Sequence, residues 1–247
     1  MNRKKIIATL GPSSLEEKVV KKMDLLGVDI FRINLSHVNI DEFENTIKIV
    51  KNWTNKPVCL DSEGAQLRTG DFKGTKLQLK TGSKIRFVDS NMSIDRTTIP
   101  LNIKNIKKLL LVGDLLRLDF NSVIVQLIEY DDSGIIARII KGGKIGKNKG
   151  ISVDRAINLP RFTNKDISAF KISKKLSLDT FFLSFCSSGE DVCALRDLFD
   201  YPINVISKIE SDRALINLVS ICKESDGILI DRGDLSRDVP LIKIAFA

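Results

Sequence analysis

The segment Val28-Asp29-Ile30-Phe31-Arg32-Ile33-Asn34-Leu35-Ser36-His37, set off by Gly27, decides how the chain is to be read. Val28–Leu35 reads as a strand that ends in polar residues. Side chains alternate across a strand, so Arg32, Asn34 and Ser36 share one face while Ile33 and Leu35 pack on the other. Upstream, Leu15, Val19, Met23 and Leu26 recur at helical spacing and Gly27 stops that helix. Ser13 and Ser14 ahead of Glu16 and Glu17 predict a capping box at its start. Before it, Lys5–Leu10 is a short apolar run closed by Gly11-Pro12, the pattern of a buried strand. Downstream, Asp41 opens a second helix with Phe43, Ile47 and Val50 on one face, and Pro57–Leu60 is a third strand. Strand, helix, strand, helix, strand implies parallel strands joined by crossovers.

The texture changes at Phe72. Leu77, Leu79, Ile85, Phe87, Val123, Val125 and Leu127 alternate with polar residues, punctuated by Gly74, Gly82, Gly113 and Asp131–Gly134. This predicts a small antiparallel β-domain over 72–149, inserted after the third strand. Gly142-Gly143 and the Lys-rich stretch to Lys149 read as its hinge. The strand–helix rhythm then resumes over 150–247. Thr163 with Asp166 caps a helix carrying Ile167, Phe170 and Leu176, and Ser187 with Glu190 caps another carrying Val192, Leu195 and Phe199. A third helix carries Leu215, Leu218, Val219 and Cys222. Thr180–Phe185, Ile203–Ile209 and Gly227–Ile230 are strands. Residues 1–71 and 150–247 together give six parallel strands.

Composition narrows the class. The chain has 247 residues, 43% hydrophobic and 28% charged, enough for one good core with a small second domain. The net charge of +8 comes from Lys spread along the chain, with no RNA-binding or zinc-finger signature, so no nucleic-acid partner is expected. Cys59, Cys186, Cys193 and Cys222 form no C-x-x-C pair and read as small buried residues. No stretch approaches membrane-spanning length and no secretory leader is evident, so a membrane partner is not expected and a reducing cytoplasm is the expected compartment.

In such sheets, functional groups cluster where strands end. At the end of the second strand, Arg32, Asn34 and Ser36 suit a phosphate and a weakly held monovalent ion. At the third, Asp61 in Asp61-Ser62-Glu63-Gly64 adds a carboxylate that Arg32 or a cation could neutralise. At the fifth, Lys208 and Glu210 share a face. The lysine offers a point charge for developing negative charge, and the glutamate a hard oxygen for Mg²⁺. At the sixth, Asp231-Arg232-Gly233-Asp234-Leu235 offers backbone N–H groups at Gly233 and a second carboxylate, Asp234. Together these suit phosphoryl transfer, in which positioning and charge neutralisation do most of the work.

The ordered set of motifs resembles the pyruvate kinase family. The resemblance runs through Ile7-Ala8-Thr9-Leu10-Gly11-Pro12-Ser13-Ser14, Arg32–His37, Leu60-Asp61-Ser62 and Leu67-Arg68-Thr69-Gly70. It continues through Asn148-Lys149-Gly150, Asn158-Leu159-Pro160, Lys165-Asp166, Ser184-Phe185, Ile206–Glu210 and Ser225-Asp226-Gly227 to Arg232–Leu235. It implies an α/β fold, an incomplete TIM (β/α)₈-type barrel with an inserted antiparallel β-barrel lid domain. It also implies transfer of phosphate from phosphoenolpyruvate to ADP, giving pyruvate and ATP in glycolysis. By position, Arg32 and Arg68 would hold phosphate, and Lys208 would stabilise the transferring phosphoryl group and the enolate. Glu210 and Asp234 would ligate Mg²⁺; Asn34, Ser36, Asp61 and Ser62 would form a K⁺ site. Thr9, Pro12 and His37 would approach the nucleotide, with Lys149 reaching in from the lid base. The Arg232-Gly233 backbone would receive the substrate carboxylate.

Several positions depart from the family pattern. Ser62-Glu63-Gly64-Ala65-Gln66 stands where the family has Thr-Lys-Gly-Pro-Glu. Gln66 matches neither the Glu of K⁺-dependent members nor the Lys of K⁺-independent ones, which leaves the K⁺ requirement open. Asp231 replaces the usual Ala and is expected to repel a substrate carboxylate, unless its side chain points away. The expected end of the chain falls before the last two barrel strands and the C-terminal domain. Full-length members form homo-oligomers; none is assigned to this chain. The alternative reading is a degenerate or truncated non-catalytic relative that binds phosphorylated ligands or a partner chain.

Overall fold

The computed structural model describes residues 4–90 and 97–237, with Val239 and Ile242. Among these, the residues up to Ala65 together with Pro160–Leu235 form one compact unit, and those of Gln66–Leu159 with Ser236 and Arg237 belong to another.

The first unit begins β1 (Ile7–Leu10), α1 (Glu17–Leu25), β2 (Ile30–Asn34), α2 (Ile40–Trp53) and β3 (Val58–Asp61). Gly27, at φ 93°, takes the left-handed turn out of α1 that a side chain would disfavour. The capping box expected at Ser13 and Ser14 does not form. Glu16 is the N-cap and makes no side-chain cap. The Ser14 hydroxyl is drawn instead to Gly11, accepting its N–H at 2.9 Å and closing the turn after β1. Phe43, Ile47 and Val50 are the buried face of α2, as its spacing predicts.

The second unit contains β4 (Lys76–Leu79), β5 (Lys84–Val88), β6 (Thr98–Pro100), α3 (Ile106–Leu109), β7 (Leu115–Leu118), β8 (Val123–Tyr130), β9 (Ile135–Lys141), β10 (Gly143–Gly146) and β11 (Ile151–Val153). Six strands pair in the order β11-β7-β8-β9-β5-β6, and β10 pairs with β4. All neighbours are antiparallel except β5 and β6, which run parallel. The apolar members of the alternating pattern, among them Ile85, Phe87, Val123, Val125 and Leu127, are its buried core. Of the Gly142-Gly143 pair, Gly143 is the first residue of strand β10. A Cβ on Gly142 would stand 2.6 Å from the Leu79 carbonyl oxygen, and one on Gly143 2.3 Å from that of Ser122. Close backbone approach accounts for both glycines.

The first unit resumes with α4 (Asn164–Lys175), β12 (Thr180–Leu183), α5 (Gly189–Arg196), β13 (Asn204–Ile209), α6 (Asp212–Ile216), α7 (Leu218–Glu224), β14 (Gly227–Ile230) and α8 (Arg232–Leu235). Its six strands form one sheet in the order β1-β2-β3-β12-β13-β14, every pair parallel. The helices cover it through a core that includes Phe31, Phe43, Phe170 and Phe181. Three local expectations change. The cap of α5 centres on Asp191, whose Oδ2 accepts from the N–H groups of Ser187 and Ser188, rather than on Glu190. The single helix expected after β13 breaks at Asn217, whose amide donates to the Ser187 carbonyl. The break turns the buried face to Ala214 and Ile221 and leaves Val219 and Cys222 exposed. Cys59 and Cys186 are buried as expected, while Cys193 is only half-buried. No helix among the described residues is long and apolar enough to cross a membrane.

One carboxylate fastens the loop after β3 to the start of α4. Asp166, fully buried, accepts the N–H groups of Glu63 at 2.7 Å, Gly64 at 3.2 Å and Thr163 at 3.0 Å. The Thr163 hydroxyl accepts the Asp166 N–H in return, completing the expected capping box. Gly64 sits at φ 73°, with space for a Cβ closed off 2.7 Å from Phe185 and 2.8 Å from the Ser184 carbonyl. Losing the Asp166 side chain orphans several buried donors. Asp166→Ala is therefore expected to lower unfolding free energy by roughly 3 kcal/mol, and Thr163→Ala by about 1 kcal/mol, measured by urea denaturation. Equal, small losses for both would contradict this role for Asp166.

Candidate functional site

The parallel ladder brings the C-terminal ends of its strands to one rim. Thr9 on β1 is paired in register with Arg32 on β2, and Asn34 with Asp61 on β3. The pleat of β2 buries Phe31 and Ile33 on one face and leaves Arg32 and Asn34 on the other. The Arg32 guanidinium donates from Nε to Thr9 Oγ1 at 2.8 Å, lies 3.3 Å from Asp61 Oδ2, and stacks over Phe182 with its carbon 5.3 Å from the ring centre. Strand alternation ends at Asn34. Leu35–His37 turns as a short 3₁₀ segment, and Asn34 Oδ1 caps it by accepting the Ser36 N–H. Ser36 therefore does not continue the strand face on which its spacing placed it.

Lys208 is the centre of the rim. Its buried Nζ lies 2.9 Å from Glu210 Oε1, 3.3 Å from Asp61 Oδ1 and 3.9 Å from Asp231 Oδ2, and donates to Ser184 Oγ at 3.1 Å. Burial works to lower the ammonium's pKa, but the charges of Glu210, Asp61 and Asp231 outweigh it and leave it raised. Lys208 is thus held as a cation. Glu210 is pushed up to about 7, chiefly by burial and with the Asp234 charge adding, against the pull of Lys208 and of the Phe185 N–H at 2.7 Å. Ligand oxygens of Glu210, Asp231 and Asp234 lie within 4.8 Å of one another. Asp61, Glu210, Asp231 and Asp234 thus gather at the rim with Arg32 and Lys208. The clustered hard oxygens of Glu210, Asp231 and Asp234 suit a divalent cation.

The description of the matching family model, pyruvate kinase barrel domain, covers residues 1–247. The chain belongs to the pyruvate kinase family. It is 31% identical to a pyruvate kinase of Thermococcus litoralis over 98% of this chain and 53% of that protein. A pyruvate kinase of Clostridium acetobutylicum is 32% identical over 99% of this chain and 54% of its own length. One from Dictyostelium discoideum is 30% identical over 99% of this chain and 51% of its own. The chain thus spans about half the length of these curated relatives. The α/β unit with its parallel sheet is consistent with the pyruvate kinase barrel domain.

The other residues expected from the pyruvate kinase pattern fall into two groups. Thr9, Pro12 and His37 are exposed at the ends of β1 and β2. Ser62, buried beyond β3, accepts the Ser184 N–H on its hydroxyl at 2.9 Å. Arg232 and Gly233 are exposed at the start of α8, next to Asp234. Arg68, Lys149 and Gln66 belong to the other unit. There Arg68 donates to the Asn148 carbonyl at 3.1 Å, and Lys149 lies 3.6 Å from Asp119. Ser184 had no assigned role in advance, and Asp231 was expected only as a repelling charge. Ser184 Oγ donates to Asp61 Oδ1 at 3.1 Å while accepting from Lys208, so it links the two. Its place beyond β12, beside β13, was the available signal. Asp231 joins the carboxylate cluster, and its only advance mark was its departure from the family pattern.

The Glu210 shift has a sign that can be tested. Its carboxyl ionises near 4.5 when unfolded and at about 7 when folded. Its contribution to stability is complete below pH 4.5 and is lost as pH rises to about 7. In chelator-treated protein, Glu210→Gln is expected to lose less unfolding free energy across that window than the wild type. Matching slopes in urea titrations at stepped pH would argue against a raised Glu210.

Proposed function

We propose that this chain performs the pyruvate kinase reaction, moving the phosphoryl group of phosphoenolpyruvate to ADP to give pyruvate and ATP. The observation that carries the reading is Lys208, a buried cation held among Asp61, Glu210 and Ser184 beside a three-carboxylate cluster. Arg32, anchored by Thr9 and Asp61, holds the phosphate. Lys208 faces the transferring group and the enolate oxygen, where its charge counts for more than in water because the surroundings are dry. Glu210 and Asp234 hold Mg²⁺, which when bound supplies neutralisation of the phosphate charge. The Arg232-Gly233 backbone takes the substrate carboxylate. Asn34, Ser36, Asp61 and Ser62 offer oxygen donors to K⁺, with Asp61 shared by Arg32 and Lys208.

In this reading Thr9, Pro12 and His37 approach the nucleotide. Residues 72–149 act as an inserted β-barrel lid domain, with Arg68 and Lys149 contributing to phosphate and nucleotide binding, and 1–71 with 150–247 as the barrel domain. The step is the glycolytic one, carried out in the cytoplasm.

The test is phosphoenolpyruvate-dependent ATP formation with Mg²⁺ and ADP. Lys208→Met is expected to lower the rate by about 10²–10³-fold, the scale of losing one preorganised charge at the reacting group. Glu210→Gln is expected to raise the Mg²⁺ concentration needed for half-maximal rate. Wild-type turnover by Lys208→Met would sink the assignment.

A further inference from the structure

Ser184 stands one residue past β12, the strand that lies between β3 and β13. Phe182 is in register with Asp61, and Leu183 with Ser207, so Ser184 falls between Asp61 and Lys208. Its backbone is fixed there from several sides. The Ser184 N–H donates to Ser62 Oγ at 2.9 Å, and the next N–H, that of Phe185, donates to Glu210 Oε2 at 2.7 Å. Phe185 makes that contact at φ 51°, a left-handed conformation that a bulky residue disfavours. Such a conformation persists only where the surroundings over-determine it. The loop after β3 closes over the turn, and a Cβ on Gly64 would stand 2.9 Å from the Ser184 Cβ.

The hydroxyl has a forced polarity. An ammonium only donates, so Ser184 Oγ accepts from Lys208 Nζ at 3.1 Å and turns its own proton to Asp61 Oδ1, also at 3.1 Å. Charge matching does not need this hydroxyl. Lys208 already lies 2.9 Å from Glu210 and 3.3 Å from Asp61, and Asp61 has Arg32 as well. Position does need it. The lysine stem is flexible and its head is a point charge, so two carboxylates alone would draw it to whichever lets it come closest. A neutral group bonded to both the ammonium and Asp61 keeps the ammonium in the gap between the two carboxylates. We propose that Ser184 is a positioning residue: its hydroxyl holds the Lys208 ammonium in the place from which it meets the transferring phosphoryl group. The assignment rests on the proposed phosphoryl transfer and adds to it a residue that acts only through Lys208 and Asp61.

The experiment follows steady-state ATP formation from phosphoenolpyruvate at saturating Mg²⁺ and ADP, with urea unfolding of each protein alongside. The proteins are the wild type, Ser184→Ala, Ser184→Thr and Ser184→Val. Ser184→Ala is expected to lower kcat by about 10- to 100-fold, the scale of a reacting group displaced by up to about an ångström. The KM for phosphoenolpyruvate is expected to stay within about twofold, since the interaction lost belongs to the transition state. Threonine and valine add the same methyl, so crowding is common to both and their ratio reads the hydroxyl. Ser184→Thr is expected to exceed Ser184→Val in kcat by about tenfold. In a Lys208→Met background, Ser184→Ala is expected to cost nothing further, because the serine acts through that lysine. A full additional loss there would overturn the inference, and so would equal kcat in the threonine and valine proteins. A rise in KM at unchanged kcat would make Ser184 a binding group and overturn it too. Loss of the fold in both Ser184→Ala and Ser184→Val, or a lower urea midpoint with kcat of the folded protein unchanged, would assign the hydroxyl to stability alone and overturn it. Each of these results leaves the proposed function standing. Folded wild type that forms no ATP overturns both.

Discussion

A buried ammonium has to be matched by charge and hydrogen bonds, because desolvating it alone would cost several kcal/mol. Lys208 meets that demand with Asp61, Glu210 and Ser184, each delivered by a different strand end. The match couples the strands. Asp61 is shared between Lys208 and Arg32, so the end of β3 depends on both β2 and β13. Glu210 is tied through its second oxygen to the Phe185 N–H beyond β12. Removing Lys208 would leave Asp61 and Glu210 buried without the ammonium between them, which is worse than never having had the pair. The rim therefore behaves as one electrostatic unit rather than as a set of separate side chains.

The sheet was legible because its signals are local and periodic. Short apolar runs, glycine stops and helical spacing sufficed to count six parallel strands. Pairing order needed only the rule that sequential strands tend to be neighbours. Capping was legible where the competing partner was far away. At Thr163 the box forms; at Ser14 it loses to Gly11, three residues back, which no spacing pattern weighs. The helix after β13 misled because Asn217 breaks it without a glycine or proline, through a side-chain bond to Ser187 that is remote in sequence.

At the rim, residue types were readable but their partners were not. The shared face of Arg32 and Asn34 follows from the pleat, yet the guanidinium's engagement with Thr9, Asp61 and Phe182 depends on which strands lie alongside. Ser36 was misplaced because a strand pattern cannot announce that a neighbouring amide will cap a turn. Asp231 shows the opposite case. The sequence marks it as foreign, and only the geometry reveals that its two oxygens reach two different kinds of donor.

The Asp166 clasp bears on how much the chain can change. Glu63 and Thr163 are held to one carboxylate although 100 positions separate them. The ends of the excursion are thus closed within the first unit itself. Beyond that point the entropy of closure grows only as the logarithm of loop length, about 0.6 kcal/mol for each doubling. Lengthening the segment between its ends therefore costs little in closure entropy, whereas a change at Asp166 strikes the contacts that make the closure.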